Sequence, residues 1–138
     1  MRVTRVYRFA ASHRLHSESL SSEQNATLYG KCNNPHGHGH DYAIHISVTG
    51  EPDMRTGRVV DIGALDRYVQ ERLLQLYDHA DLNVDVPGFE GVPTTENLVV
   101  DSEKRLRSGW PFSGVFLDRV FIQETDRNSV ELTGLGQR

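Results

Sequence analysis

The sequence predicts an α+β fold in which antiparallel strands near both ends of the chain flank two helices. Segments near both ends alternate apolar and polar residues with a period of two, as half-buried strands do. The central segments space their apolar residues three or four apart, which is typical of amphipathic helices. Strands grouped apart from the helices favour the α+β class over an alternating α/β class.

Two strands and a hairpin are predicted before the first helix. The first ten residues alternate and predict one strand, and residues 42–49 predict the clearest one, with four apolar residues on one face. Residues 14–30 are polar, rich in serine and aperiodic, so we expect a long loop, which in a small domain is often functional. Turn residues at 50–57 followed by a short strand at 58–60 predict a hairpin.

Two capped helices follow. Asp61 can accept the N-terminal hydrogen bonds of a helix with one apolar stripe that extends over residues 61–77. Thr94 or Thr95 can cap a second helix, which we expect to end at Gly109. These helices would lie between the two groups of strands.

The last part of the chain predicts a second strand pair. Residues 115–124 alternate, and a turn would pair them with residues 129–133. Glu124 has the parity of three apolar residues of its strand: Phe116, Val120 and Ile122. A carboxylate on that face either ends the strand in solvent or accepts paired N–H donors, as it does from a guanidinium group.

Composition excludes several classes of protein. The chain has 138 residues, which fits one compact domain over residues 1–138. Its net charge of -4 argues against a nucleic-acid partner, which needs a basic surface. Because no segment approaches the roughly 18–20 apolar residues of a membrane span and no secretory signal is visible, we expect no membrane partner. The single cysteine, Cys32, cannot form an internal disulfide, so we expect the protein to be located in the reducing cytoplasm.

The HGHGH segment at residues 36–40 is the strongest functional signal in the sequence. In extended backbone, residues two apart point the same way, so His38 and His40 can share one metal ion. His13, at the end of the first strand, is the best third ligand. Three histidines would leave zinc an open coordination position, which is the catalytic arrangement.

The same segment has other interpretations. His36 and His38 form a second pair with the same spacing and orientation. A histidine-rich turn can also be only a polar loop, although glycine alternation at the start of a strand favours metal binding. His45 has the opposite parity, and we assign it a structural role.

Three more residues offer acid–base chemistry. Cys32 lies among polar neighbours, and we expect Lys31 to lower its pKa and favour the thiolate, although a lone cysteine is more often a small buried residue. Asp78 and His79 follow the first helix, where a carboxylate can orient an imidazole. The alternative is a histidine that interacts only with the C-terminus of the helix.

Five segments together resemble the family of 6-pyruvoyl-tetrahydropterin synthases, within a larger group that includes the 6-carboxy-tetrahydropterin synthases. The segments occur in the family's order and cover nearly the whole chain. They are residues 9–16 (FAASHRLH), 29–42 (YGKCNNPHGHGHDY), 78–79 (DH), 94–97 (TTEN) and 124–126 (ETD).

The resemblance implies a T-fold, in which an antiparallel four-stranded sheet carries two helices on one face. It implies assembly into barrels as a homohexamer, a dimer of trimers. It also implies zinc bound by His13, His38 and His40. Family members follow the ligand pair with a polar and an aromatic residue, here residues 41–42, which selects this pair over the earlier one.

The resemblance also implies the catalytic roles. Cys32 would be the general base, and Asp78 and His79 would complete a proton relay, often from a neighbouring subunit. Glu124 would bind the pterin and also act as a catalytic residue. Thr95 and Glu96, on the second predicted helix, would help to bind the pterin. The implied substrate is 7,8-dihydroneopterin triphosphate, often with Mg²⁺. An internal redox rearrangement with loss of triphosphate would yield 6-pyruvoyl-tetrahydropterin, the reaction of a carbon–oxygen lyase.

Two other functions are compatible with the sequence. The carboxy branch of the group, which serves queuosine biosynthesis, would use the same residues as a carbon–carbon lyase and release acetaldehyde. Its shorter spacing between cysteine and first ligand would match His36 and His38, whereas the pyruvoyl spacing matches Cys32 to His38. A metal-binding or pterin-binding module without catalysis is the alternative from another class.

Overall fold

One sheet and three helices make up the structure, a computed structural model that describes residues 1–137. Arg138, the last residue of the predicted domain, lies outside the described residues. The strands are β1 (Arg2–His13), β2 (His38–Thr49), β3 (Ala80–Asp81), β4 (Phe116–Thr125) and β5 (Asn128–Leu132). The helices are α1 (Ser22–Tyr29), α2 (Ile62–Val69, continued by a π-helical turn at Gln70–Leu74 and a last α-turn at Gln75–Tyr77) and α3 (Thr95–Arg107).

The strands lie in the order β3-β1-β2-β4-β5, and all neighbours except the short β3 are antiparallel. β1 and β2 pair along their whole length, from Arg2 opposite Thr49 to His13 opposite His38. The apolar side chains of the sheet pack with those of α2 and α3 in one core, where Ile44, Leu65 and Leu98 are fully buried. The α+β prediction is therefore confirmed.

The strands differ from the predicted ones in two places, and the sheet has five strands rather than the four that the resemblance implies. β3, which pairs in parallel with β1, is only two residues long and was too short to carry a pattern. The predicted strand at 58–60 is wrong, since these residues form no strand. Val59 and Val60 are both buried, and consecutive buried side chains cannot both lie on the inner face of a half-buried strand.

The predicted loop at 14–30 is also partly wrong, because it contains α1. This helix has a capping box in which the Ser21 hydroxyl accepts from the Gln24 backbone and the Gln24 side chain accepts from the Ser21 backbone. Only Asn25 of the helix is buried, so no apolar stripe marked it in the sequence. The Ser21-x-x-Gln24 spacing was the one signal that could have revealed it.

The other two helices begin as predicted. The Asp61 side chain accepts from the Ala64 backbone N–H, and the hydroxyl of Thr94, rather than that of Thr95, caps α3 by accepting from Asn97. No helix among residues 1–137 is long and apolar enough to cross a membrane.

A bulge in β4 changes which side chains face the core. Val48 pairs with Leu117 and Ser47 pairs with Arg119, so Asp118 is an extra residue. Leu117 is consequently buried and Phe116 is 54% exposed, which contradicts the predicted face of Phe116. Beyond the bulge the prediction holds, because Val120 and Ile122 are fully buried. Two residues further along the same strand, the Glu124 side chain is 13% exposed.

Candidate functional site

Three histidine rings meet where β1 ends and β2 begins. His13 pairs with His38 across the two strands, and His40 follows two residues later on the same face. The ring centroids are 4.9 Å apart for His13 and His38, 5.0 Å for His13 and His40, and 4.6 Å for His38 and His40. We call these three residues the imidazole cluster.

Each ring of the imidazole cluster has a buried nitrogen without a hydrogen-bond partner among residues 1–137: His13 Nε2, His38 Nδ1 and His40 Nε2. An unpaired buried polar atom costs about 1–3 kcal/mol. Burial is also the largest cause of the lowered pKa of His13 and of His40, and it keeps these rings neutral. Neutral imidazoles that lie this close together, each with an unpartnered nitrogen, suit a divalent cation such as zinc.

A hydrogen bond to the backbone of Pro93 sets the orientation of the His13 ring. Its Nδ1 lies 2.9 Å from the carbonyl oxygen of Pro93, and because a carbonyl only accepts, Nδ1 carries the hydrogen. The lone pair is therefore on Nε2, the unpartnered atom. A metal-binding histidine commonly has this second hydrogen bond. Sequence reasoning missed Pro93 because a backbone carbonyl leaves no trace in the residue type.

The backbone of β1 passes so close to residue 37 that only glycine fits there. Its φ is +71°, and a Cβ at this position would lie 2.9 Å from the backbone oxygen of His13. Gly39 is less constrained, since its Cβ would meet the Ala11 oxygen at an ordinary 3.6 Å. Of the two glycines in the HGHGH segment, Gly37 is the one that lets the ends of the strands come together.

Cys32 and Glu124 extend the imidazole cluster in two directions. Metal-binding atoms of Cys32, His13 and His38 lie within 4.8 Å of one another, and so do those of Glu124, His13 and His40. His13 belongs to both groups. Neither group includes His36, which is exposed, and the His38 and His40 rings lie 4.6 Å apart, so the structure brings these two together rather than the earlier pair.

Glu124 is held by α3. The hydroxyl of Thr95, a residue only 2% exposed, donates to Glu124 Oε2 over 2.7 Å. The same carboxylate oxygen lies 4.0 Å from His13 Nε2. The sequence placed Glu124 and Thr95 in one site, but it did not show that they bond to each other. Glu96, predicted to act with them, is exposed on the first turn of α3.

Cys32 lies on a 3-10 turn, Gly30–Asn33, between α1 and β2. Burial, followed by the negative charge of Glu124, raises the pKa of its thiol. The prediction that Lys31 lowers this pKa is therefore wrong for the chain alone. Lys31 is exposed, and a charge in water acts weakly on a neighbour.

Asp78 and His79 lie at the edge of the sheet, beside β1. Asp78 Oδ1 accepts from the Ala10 backbone N–H at 3.0 Å and lies 3.2 Å from His79 Nδ1. His79 has a φ of +61°, the left-handed conformation that non-glycine residues rarely adopt and that often marks a functional site. Its side chain is 83% exposed.

His79 lines a shallow cleft at this edge of the sheet. The cleft is also lined by Ala10, Ser12 and Asp41, whose strand parity is opposite to that of His13, and by His40 of the imidazole cluster. Neither Asp78 nor His79 joins Cys32 in a metal-binding group within residues 1–137. One chain therefore brings together the predicted metal ligands, the cysteine and the glutamate, but leaves this acid–base pair apart.

Comparisons with known proteins identify the family to which the chain is similar. Residues 2–134 match the sequence profile described as 6-pyruvoyl tetrahydropterin synthase. The 6-pyruvoyl tetrahydrobiopterin synthase of Homo sapiens is 44% identical over 96% of this chain and 90% of the human protein. The Drosophila melanogaster protein of the same name is 42% identical over 96% of this chain and 79% of its own length.

Solved structures give the same result for the fold. The structure of Caenorhabditis elegans 6-pyruvoyl tetrahydropterin synthase superposes with a TM-score of 0.89 at 38% identity, covering 97% of this chain and 95% of that one. The Plasmodium vivax synthase, at 13% identity and a TM-score of 0.65 over 96% and 97% of the two chains, shares the fold. The predicted T-fold is thus confirmed, with a fifth short strand and a third helix. The chain belongs to the 6-pyruvoyl tetrahydropterin synthase family.

Proposed function

We propose that the protein is a 6-pyruvoyl-tetrahydropterin synthase, a lyase that converts 7,8-dihydroneopterin triphosphate to 6-pyruvoyl-tetrahydropterin and triphosphate. The observation that carries the proposal is the placement of Cys32 and Glu124 around His13, which puts a proton acceptor and a pterin-binding carboxylate beside one metal-binding cluster. The names of the curated relatives support this assignment.

His13, His38 and His40 are the residues we propose as ligands of a zinc ion. The support is their three buried nitrogens, which lack hydrogen-bond partners among residues 1–137. When bound, zinc supplies a positive charge that polarises substrate oxygens and favours the thiolate form of Cys32. Mg²⁺ would accompany the substrate's triphosphate, because hard oxygen ligands suit that ion.

Glu124 orients the pterin. The Thr95 hydroxyl occupies one acceptor position on Oε2 and the Asn128 amide donates to Oε1 over 3.5 Å, which leaves one further acceptor position on each oxygen for the paired N–H donors at the guanidine-like edge of a pterin. A carboxylate oriented by a buried neighbour loses less freedom when the substrate binds. Glu96, on the same turn of α3, would assist from the rim of the site.

Cys32 accepts the proton from a side-chain carbon of the substrate. The hydrogens that the side chain loses are taken up by the pterin ring, so the rearrangement needs no external oxidant or reductant. The triphosphate leaves with its bonding electrons as an anion. A reduced thiol is essential to this chemistry, which agrees with the reducing cytoplasm as the place of action.

Asp78 and His79 would act on Cys32 of a neighbouring subunit in a homohexamer. The absence of both residues from the two groups around His13 within residues 1–137 supports this arrangement, as does the exposure of His79. The Asp78 carboxylate lies near enough to His79 Nδ1 to orient the ring for proton transfer.

Product analysis tests the proposal. Purified protein with zinc and Mg²⁺ is incubated with 7,8-dihydroneopterin triphosphate, and the products are identified by mass spectrometry. We expect 6-pyruvoyl-tetrahydropterin and free triphosphate. Acetaldehyde with 6-carboxy-tetrahydropterin would assign the protein to the carboxy branch, and an unchanged substrate would favour a binding module.

A further inference from the structure

The turn that carries Cys32 is tied to the chain that leaves the imidazole cluster. The backbone N–H of Leu15, two residues after His13, donates to the Cys32 carbonyl over 2.7 Å. The Arg14 guanidinium donates through Nε to the Asn33 carbonyl over 3.1 Å. Cys32 itself lies on a short turn rather than on a strand, so contacts of this kind determine where its sulfur lies.

The Asn33 side chain adds two further contacts in this region. Its Nδ2 donates to the Leu15 carbonyl over 2.8 Å and lies 3.0 Å from His16 Nδ1. Both N–H hydrogens of the amide thus have acceptors on the segment that follows His13. Asn33 is half-buried and adjacent to Cys32, so its amide sets the distance between the turn and the end of β1.

From this geometry we propose that Asn33 is a positioning residue, which holds the Cys32 sulfur at the imidazole cluster by bonding to Leu15 and His16. The proposal deepens the proposed function and rests on it, because it assigns Cys32 the proton-transfer role. Asn33 need not touch the substrate. Its effect passes through the position of the sulfur relative to His13 and His38, which share a metal-binding group with it.

The chain would keep its fold without the Asn33 amide. The Leu15 to Cys32 backbone bond and the Arg14 contact do not use that side chain, and the imidazole cluster lies on paired strands. Catalysis is more sensitive than folding, since a misplacement of about 1 Å can cost about 100-fold in rate. Loss of the amide should therefore lower kcat and leave zinc binding intact.

Asn34 provides a matched control. It is the next residue, it is exposed, and its side chain makes only a local bond, accepting from the His36 backbone over 3.1 Å. We would compare Asn33→Ala and the isosteric Asn33→Asp with Asn34→Ala and Asn34→Asp. The readouts are kcat and KM, zinc content, melting temperature and the rate at which iodoacetamide alkylates Cys32, which is the only thiol in the chain.

We expect both Asn33 variants to lose about 10- to 100-fold in kcat, with KM, zinc content and melting temperature near those of the wild type. Cys32 alkylation should become several-fold faster, and the Asn34 variants should behave like the wild type. If Asn33→Ala does not fold, the same measurements on Asn33→Asp test whether Asn33 positions the Cys32 sulfur. Turnover within about twofold of the wild type, an equal loss in the Asn34 variants, or loss of zinc or folding in both Asn33 variants would overturn the proposal.

The two proposals fail in different ways. A wild-type protein that leaves 7,8-dihydroneopterin triphosphate unchanged contradicts the proposed function. The alkylation comparison then decides whether Asn33 holds the sulfur. An alkylation rate unchanged from wild type in both Asn33 variants overturns that role whatever the substrate is.

Discussion

The imidazole cluster and the acid–base groups are built in different ways. The three histidines lie on β1 and β2, whose pairing over twelve residue positions determines how the rings meet. Cys32 lies on a short turn, and Asp78 and His79 lie at the end of a helix beside the sheet edge. The proposed metal ligands are thus held by regular backbone hydrogen bonds, whereas the proposed proton-transfer groups depend on a few individual contacts.

This difference has a consequence for mutation. Removing a strand-held ligand should abolish the site without unfolding the sheet, because the backbone ladder remains. Removing a turn-held group should leave the metal in place and affect only the chemical step. Four pairs of variants test this distinction, from the largest expected effect to the smallest.

The largest effect is expected from His38→Ala. It removes one of the three converging nitrogens, so we expect zinc to fall well below one per chain and turnover to become undetectable. Elemental analysis of the purified protein is the measurement. His36→Ala is the matched control, because His36 is exposed and outside both metal-binding groups, and it should keep its zinc. Full zinc in His38→Ala would contradict the assignment of this ligand.

Cys32→Ala should come next. Loss of a positioned general base typically costs about 100- to 10,000-fold in rate, and we expect a fall in kcat in that range. Zinc content and pterin binding, measured by elemental analysis and fluorescence titration, should be unchanged. Lys31→Ala serves as the control for the neighbouring exposed charge and should have little effect. Normal turnover by Cys32→Ala would contradict its role as the general base.

Thr95→Val tests how Glu124 is held. It removes the hydroxyl that donates to Glu124 Oε2, and a hydrogen bond to a charged group contributes about 1.5–3 kcal/mol. We expect pterin affinity, measured by titration, to weaken about 10-fold or more. The adjacent Thr94→Val should instead lose the cap of α3 and about 0.5–2 kcal/mol of stability, with affinity retained. The reverse pattern would mean that Thr95 does not orient the carboxylate.

The smallest and most local effect is expected from Gly37→Ala. The new Cβ would lie 2.9 Å from the His13 backbone oxygen in a left-handed conformation, so we expect a loss of about 1–3 kcal/mol in stability and weaker zinc binding. Gly30→Ala is the control, because Gly30 also has a positive φ, +55°, but its Cβ would meet nothing within 4 Å. Denaturant unfolding with and without zinc separates the two. Equal losses would show that backbone strain alone matters at Gly37.

Local patterns predicted the regular elements well and the irregular ones poorly. The alternation of 42–49 and the stripe of α2 follow from side-chain periodicity, which acts over a few residues. The bulge at Asp118 reversed the face of Phe116, because an extra residue in one strand can be recognised only from its partner. β3 depends on β1 in the same way, since two residues cannot form a strand without a neighbour.

For the candidate site, the residue types and their spacing were enough to select the cluster. His38 and His40 lie two apart in extended backbone, and the family motif separated them from the earlier pair. Neither source could show that Thr95 bonds to Glu124, since these residues are 29 positions apart. Neither could show that burial raises the pKa of Cys32, because burial is a property of the packed chain.

By itself, the sequence determined the class of fold, the Asp61 cap of α2 and a pair of histidines on one face of an extended strand. These features depend on residues that are near each other along the chain. Only the tertiary structure decided that Pro93, 80 residues from His13, orients its ring, and that within residues 1–137 neither Asp78 nor His79 joins Cys32 or Glu124 in the groups around His13. The physical reason is that strand register and helix packing set such distances, and both depend on contacts across the whole core.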